Sequence, residues 1–374
     1  MRVLLMLFLL LNRVWAEEWR EEVRISYDEG LRWLVDNQND NGSWGGSQWT
    51  GGVDSDPVPG AFQSFDVAVT AMCLEAIFPL REQENFQEAV QKATNFLKQE
   101  FPQLRRPHPR HLPNIWGYCY GIQVLAKIVK EAEEEEEKWA REEMKRLMKG
   151  LELFEVVGGG WFYYANSATR TPDAPSASFV NAAVLVALWR AKEVGVEIDE
   201  KLVARALKAT LLQRKPDSSY LYSARTPLDR RAAMKPINRK AGSLGRSQAG
   251  NYALYLWGEE AVTSKVMTEW IGYLLDRQGW LDMGRKRPIP HESHAEVAGY
   301  FYYFGHYYGA LCLSEIQVER RSELQKDLAG VLTTRQEEDG SWFDYPLYSY
   351  HKSYGTAFAV MSLRECLRGK KEGE

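Results

Sequence analysis

The sequence predicts an all-α chain closed into an α/α toroid, six helical hairpins arranged as an inner and an outer helical ring. Three observations predict it. Helical stretches pair with a period of roughly 50 to 65 residues, the kind of long repeat that sets an architecture. The first stretch of each pair is amphipathic and charged, whereas the second is rich in Ala, Gly, Leu and aromatics. Between the two, turns containing glycine and tryptophan recur.

Taken in order, the first stretches are Arg24 to Asn37, Glu84 to Phe101, Lys138 to Glu155, Glu200 to Arg214, Ala261 to Arg277 and Arg320 to Gln336. Their charges fall on one side, as expected of an outer ring that touches water. The second stretches are Phe65 to Phe78, Ile115 to Lys130, Ser178 to Gly195, Arg246 to Gly258, Glu296 to Ile316 and Tyr354 to Leu367. Runs such as AVTAMCLEAIF, NAAVLVALW and GTAFAVMSL carry few charges and many small residues, which suits helices buried on most sides. Short aromatic runs such as Trp161 to Tyr164 have strand propensity but no partner run, so no strand is expected.

The turns are NDNGSWGG at Asn39 to Gly46, GGGW at Gly158 to Trp161, RQGW at Arg277 to Trp280 and EDGSW at Glu337 to Trp342. Glycine permits the left-handed exit from a helix, and tryptophan covers the apolar gap beneath it. A longer loop then leads to each inner helix, which gathers the loops on one side of the ring and places a functional mouth there.

The first sixteen residues, MRVLLMLFLLLNRVWA, join Arg2 to an apolar run and small or aliphatic residues at Val14 and Ala16, the pattern of a cleaved signal peptide. That apolar run, Val3 to Leu11, is short of the roughly 20 residues that span a bilayer. The expected organisation is a signal peptide at 1–16 and one toroid domain at 17–374, secreted or periplasmic, with no membrane span after signal removal. Loss of Arg2 and Arg13 takes the formal charge from −4 to −6, evenly mixed in sign, which excludes a nucleic-acid partner. Cys73, Cys119, Cys312 and Cys366 each lie in an apolar helical stretch and read as core thiols; pairing of Cys73 with Cys119 is left open.

QNDNGSWGG from Gln38, and QEEDGSWFDYPLYSYHKSYGTAFAVMSL from Gln336 to Leu363, resemble the repeat of the terpenoid cyclase and protein prenyltransferase superfamily. GGGWFYY with SFVNAAVLVALWRAKEVG, GSLGRSQ and YFYYFGHYYGALCL are similar to an exported bacterial branch with that fold. The resemblance implies the toroid and, with it, isoprenoid or related ligands. It does not extend to the family's reactive motifs. The stretch Asp66-Val67-Ala68-Val69-Thr70-Ala71 keeps one acid of a protonating Asp-x-Asp-Asp-Thr-Ala, no Asp-x-Cys accompanies His351, and no Asp-Asp-x-x-Asp occurs.

Parallel inner helices would gather their N-termini, and the positive ends of their dipoles, at one mouth. Asp66 and Arg246 lie near such N-termini, and Arg246, opening an apolar helix, is expected to meet an internal carboxylate such as Asp66 or Asp344. YFYYFGHYY at Tyr300 to Tyr308 is dense enough in rings to face both core and cavity, with His306 in its middle. The catalytic candidates are therefore His306, Tyr307, Arg246 and Asp66; the ligand-binding candidates are Trp161, Asn181, Tyr303, Asp344, His351 and Tyr354. His291 and His294 with Glu292 and Glu296, and His108 with His111, sit in proline-bearing loops without the helical spacing of a zinc site, so no metal and no cofactor is expected. Three functions stay open: an exported toroid that holds a small-molecule, isoprenoid or carbohydrate ligand in an aromatic cavity; a lyase, hydrolase or transferase acting on such a molecule; and a protein-interaction scaffold with a filled ring.

Overall fold

In the structure, a computed structural model, residues 2–52, 62–104, 115–163, 175–224, 230–316 and 319–368 are described. The outer helices are α1 (Arg2–Asp36), α3 (Glu84–Glu100), α5 (Glu134–Phe154), α7 (Glu200–Gln213), α10 (Ser264–Arg277) and α13 (Arg321–Thr333). The inner helices are α2 (Gln63–Ile77), α4 (Ile115–Glu131), α6 (Ser178–Glu193), α9 (Leu244–Leu256), α12 (Phe301–Glu315) and α14 (His351–Leu367). Short helices α8 (Arg230–Met234) and α11 (Gly279–Asp282) sit in the loops before α9 and α12. Each inner helix packs on the next and α14 packs on α2, so the inner ring closes, while α1 packs on α13 and α14 and joins the two ends of the chain.

Composition separates the rings for a physical reason. On α3 only Ala89, Val90, Ala93, Thr94 and Leu97 are buried, a single stripe, whereas α2 is buried from Ser64 to Ile77 apart from Asp66. The stretch Gln63–Leu80 is long and apolar enough to cross a membrane, and 78% of it is enclosed by the ring, as an inner helix requires. Small residues set the spacing. A Cβ on Gly305 of α12 would lie 2.5 Å from the Cα of Gly245 on α9, so these two backbones meet only because both positions are glycine.

The turns repeat in atomic detail. Trp44, Trp161 and Trp342 are fully buried, and each indole N–H donates to the carbonyl ten residues back, at Leu34, Leu151 and Leu332, over 2.7, 2.9 and 2.9 Å. An inner-helix side chain takes each tryptophan's backbone N–H: Thr70 Oγ1, Asn181 Oδ1 and Thr356 Oγ1. Gly340 has φ +85, and a Cβ there would lie 3.2 Å from the carbonyl of Glu29 on α1, which shows how tightly the sixth turn abuts the first outer helix. Gln336 Nε2 donates to Ser26 O across the same seam, and Gln38 Nε2 donates to Ala89 O across the seam between the first two repeats.

Two expectations need correction. RQGW does not form this staple: the chain continues from α10 into α11, and Trp280 is only half-buried. The fourth repeat makes the turn with Asp217-Ser218-Ser219-Tyr220, where Asp217 Oδ1 accepts from the N–H and Oγ of Ser219 as Asp339 does from Ser341. The expectation of no strand fails in one place, where β1 (Ser176–Ala177) and β2 (Ser223–Ala224) pair antiparallel as the loops before α6 and after α7 run side by side. The four cysteines are buried free thiols; Cys73 points to Ser353 O at 3.6 Å and Cys119 accepts from Gln123, so the pair left open is unbridged.

Candidate functional site

The first turns of the inner helices enclose a cavity of about 510 Å³ at the end where their N-termini gather. Phe65, Ala68, Val69 and Met72 come from α2, Trp116 and Tyr120 from α4, and Phe179 from α6. Phe301 and Phe304 of α12 and Tyr354 and Phe358 of α14 complete the helical wall, and loop residues Tyr163, His291, Tyr300 and Tyr345 form the rim. The rings interlock: Phe179 lies edge-on to Phe301 at 5.0 Å and Trp116 stacks on Phe179 at 6.0 Å. Among the described residues no carboxylate lines the cavity.

One helical turn deeper, the floor is polar. Arg190 Nη1 sits 2.6 Å from Glu75 Oε1 and its Nη2 donates to Tyr307 Oη at 2.9 Å, tying α6, α2 and α12 together across the ring. Glu75 is buried, and a pair of this kind is costly to break because the surviving charge is left without a partner. The cations of Arg190 and Arg364 lie at the C-terminal ends of inner helices, where the dipoles favour positive charge.

At the rim, hydroxyls form a chain. Tyr163 Oη lies 2.8 Å from Tyr222 Oη, Tyr222 Oη lies 3.4 Å from Tyr300 Oη, and Tyr300 Oη lies 3.1 Å from His291 Nε2. His291 Nδ1 is 2.7 Å from the carbonyl of Glu296, which can only accept, so Nδ1 carries the proton and Nε2 accepts from Tyr300. The backbone that holds this imidazole is strained: His291 and Glu296 have φ of 65° and 53°. Burial, and then the nearby Arg246 cation, lower the His291 pKa against the opposing pull of the Glu296 carbonyl, so the ring is neutral at physiological pH.

Arg246 stands behind the same rim, 5.6 Å from the centre of the Tyr222 ring and 6.0 Å from that of Phe301. Among the described residues no carboxylate pairs with it. Its guanidinium instead donates to the carbonyls of Tyr220, Gly242 and Ile237 and to Asn238 Oδ1, which surround it. Burial pulls its pKa down to about 9, so it remains a cation.

The structure separates most of the other residues named from the sequence. Tyr354 lines the cavity and donates to Asp344 Oδ1; Asp344 also accepts from Tyr303 N–H at 3.0 Å, and burial raises its carboxyl to about 7 despite these bonds. Tyr307 belongs to the floor. Asp66 lies in a neighbouring polar cleft, where it accepts from Tyr350 Oη at 2.6 Å. His306 is enclosed away from the cavity with Nδ1 on Tyr302 O, and burial lowers its pKa to about 4. Trp161 and Asn181 form the third staple, Tyr303 is buried beside Asp344, and His351 opens α14 with Nδ1 on Tyr348 O. His108 and His111 lie outside the described residues, and no group of three or more metal-ligating side chains occurs within them.

Sequence reasoning passed over Phe65, Phe179 and Tyr163 as cavity residues, named Tyr300 only within the run Tyr300 to Tyr308, and considered His291 only as a metal ligand. A usable signal was present: an aromatic residue recurs within the first four positions of inner helices, at Phe65, Trp116, Phe179, Phe301 and Tyr354.

No protein-family model matches the chain, and no curated protein matches it by sequence. Solved structures do. A cellobiose 2-epimerase from Spirochaeta thermophila has a TM-score of 0.62 at 16% identity, covering 95% of this chain and 98% of its own. The type II terpene cyclase MstE from Scytonema, in complex with geranylgeranyl dihydroxybenzoate, has a TM-score of 0.56 at 13% identity, covering 94% and 99%. An α-1,6-mannanase of Salegentibacter, an inactive variant holding α-1,6-mannotriose, has a TM-score of 0.55 at 10% identity, covering 94% and 100%. At these identities the likeness establishes the α/α toroid that the chain shares with enzymes of isoprenoid and carbohydrate chemistry.

Proposed function

We propose that this toroid holds one predominantly apolar ligand, of isoprenoid or similar hydrocarbon character, in the cavity at the N-terminal end of its inner ring. The observation that carries the reading is the wall itself: among the described residues it is made mostly of aromatic and aliphatic faces, with few polar groups and no carboxylate. A sugar needs polar partners along its whole length, and hydrolysis of a glycoside needs two facing carboxylates, neither of which the described wall provides. The MstE structure, a toroid in complex with geranylgeranyl dihydroxybenzoate, supports the apolar reading. Residues 1–16, read as an export signal, extend the proposal to a periplasmic or secreted setting; the N-terminal sequence of the exported protein tests that part.

The experiment is titration of the purified full chain with diphenylhexatriene, whose fluorescence rises on entering an apolar site. Saturable binding at one probe per chain is expected, and Val69→Trp, which fills the cavity from α2, weakens it at least tenfold. Absence of saturable binding by a folded protein, or unchanged binding by Val69→Trp, overturns the reading.

A further inference from the structure

The apolar stripe that an inner helix turns to the cavity continues, one turn deeper, into polar side chains. On α2 the lining residues Phe65, Ala68, Val69 and Met72 follow helical spacing, and the next position on that stripe is Glu75. On α4 Trp116 and Tyr120 lead to Gln123, and on α12 Phe301 and Phe304 lead to Tyr308. Every residue of the six inner helices is among those described, so the side chains that the ring turns inward at this depth are all in view. Three polar atoms on these continued stripes are buried without a hydrogen-bond partner: Glu75 Oε2, Gln123 Oε1 and Tyr308 Oη.

Tyr120 joins this polar layer to the cavity. Its ring lines the wall, only 5% of its surface is exposed, and its hydroxyl makes no hydrogen bond among the described residues. It lies edge-on to Phe358 at 6.0 Å, Phe358 lies against Tyr307 at 5.2 Å, and Tyr307 accepts from the Arg190 guanidinium that pairs with Glu75. Burial, followed by the Cys119 thiol, Tyr307 and the Glu75 carboxylate, raises the pKa of Tyr120 well above its ordinary value; burial followed by Tyr120 does the same for Tyr308. Both hydroxyls keep their protons.

The charges at this depth decide what a ligand can bring to Tyr120. Arg190 and Glu75 meet across 2.6 Å and offset one another, so neither is free to neutralise a third charge. The further cations of this layer are also paired, Lys127 with Glu131 and Arg364 with Glu365 at 3.8 Å. An anionic end would face Glu75 and a cationic end Arg190, among buried side chains where an unpaired charge is costly. A hydroxyl meets neither penalty. It both donates and accepts, so it pairs with Tyr120 whichever way the phenol proton turns. We infer that the hydrocarbon ligand ends in an uncharged hydroxyl and enters the ring with that end foremost, where it hydrogen-bonds to Tyr120 above the Arg190 and Glu75 floor. This rests on the reading of the cavity as the site of an apolar ligand, and adds the ligand's class, a long-chain or isoprenoid alcohol, and its direction. No covalent bond changes.

The test uses the full chain and three probes, dodecan-1-ol, its methyl ether and dodecanoate, each competing with diphenylhexatriene at neutral pH. The alcohol is expected to bind at least tenfold tighter than dodecanoate. In Tyr120→Phe the ratio of alcohol to ether affinity should fall about tenfold, as the loss of one buried hydrogen bond implies. Direction is read without a variant, by nuclear Overhauser contacts to chain labelled at its methionine methyls. The hydroxymethyl protons of bound dodecan-1-ol should contact Met72, the deepest lining residue of α2, and the terminal methyl should not. That reading stands if Tyr120→Phe fails to fold. An unchanged ratio in folded Tyr120→Phe, dodecanoate binding as tightly as the alcohol, or the terminal methyl at Met72 overturns the inference and leaves the cavity reading intact. If neither the alcohol, the ether nor diphenylhexatriene binds the folded chain, the cavity reading itself fails and the inference falls with it.

Discussion

Repeats one, three, four and six turn from outer to inner ring in one way, and repeat five turns in another. In the regular turns an aromatic residue at Trp44, Trp161, Tyr220 or Trp342 is buried under the outer helix. The position four residues before the turn's left-handed residue reaches the next unit: Gln38 to Ala89, Glu155 to Arg205, Arg214 to Ala261 and Gln336 to Ser26. In the fifth repeat the first left-handed residue is Lys286, and Asp282 four residues before it likewise reaches the next unit, accepting from Arg335 Nη2 at 2.9 Å, but no buried aromatic staple accompanies it. The chain runs through α11 and a loop with left-handed backbone at Lys286, His291 and Glu296, and delivers His291 to the cavity. The regular turns satisfy themselves and hold the ring; the irregular one spends backbone strain to place a polar side chain where the rest of the wall is apolar. Departure from the repeat therefore locates the chemistry better than adherence to it.

The largest expected effect lies in the regular turns. Trp342→Ala removes a fully buried indole and its bond to Leu332 O, and should lower stability by about 3–5 kcal/mol. Trp280→Ala, its sequence-level counterpart in RQGW, strips a half-buried ring from the irregular loop and should cost about 1 kcal/mol. Chemical denaturation of the two variants measures the contrast. Equal losses would mean that the fifth repeat is stapled after all, and the comparison would break.

Two aspartates five residues apart sharpen it further. Asp339 belongs to the sixth turn, where hydrogen bonds from Lys352 and Ser341 outweigh partial burial and hold it down to about 2. Asp344 is enclosed behind the cavity wall, where full burial outweighs the bonds from Tyr354 and Tyr303 and lifts it to about 7 from 3.8. For Asp344 the folded state keeps a proton that the unfolded chain has released, so its contribution is full below about pH 3.8 and is lost as pH rises to about 7. Asp344→Asn should flatten that decline, gaining on the wild type by up to about 1.4 kcal/mol per pH unit across the window. Asp339→Asn should behave oppositely, weakest relative to the wild type at neutral pH and converging with it below the pKa of about 2. Parallel stability curves for both variants would show that the buried Asp344 carboxyl is ionised and paired like the staple's.

How much of this was legible in the sequence follows from the same contrast. The ring was legible because it is periodic: the expected helix at Glu84 to Phe101 ends one residue from the observed one, and that at Tyr354 to Leu367 shares its last residue. Small inner residues such as Gly245 and Gly305 announce close packing before any contact is seen. The rim was not legible, because its geometry depends on which way single side chains turn. Nothing in YFYYFGHYY says that Phe301 and Phe304 face the cavity while His306 is turned away toward Tyr302 O. Arg246 was read as needing a carboxylate, since backbone carbonyls that turn to accept from a guanidinium have no signature in composition.

The smallest effect tests the repeat rule at its weakest copy. Ser218 stands where Gly42 and Gly340 stand in their turns and has φ of 60°, a region in which a side chain clashes with its own backbone. Its Oγ accepts from Arg214 at 2.8 Å, and its carbonyl accepts from Asn251 Nδ2, so the strain is partly offset by bonds that a glycine would share only through its backbone. Ser218→Gly should relieve the left-handed strain but widen the unfolded ensemble and release the Arg214 contact, for a net gain of about 0.5 kcal/mol or less. A gain of that size, measured by the denaturation midpoint at constant m-value, places the fourth turn with the others as a variant of the same staple. A loss above about 1 kcal/mol would mean that the Ser218 hydroxyl, and not left-handed geometry, defines this turn, making repeat four a second exception beside repeat five.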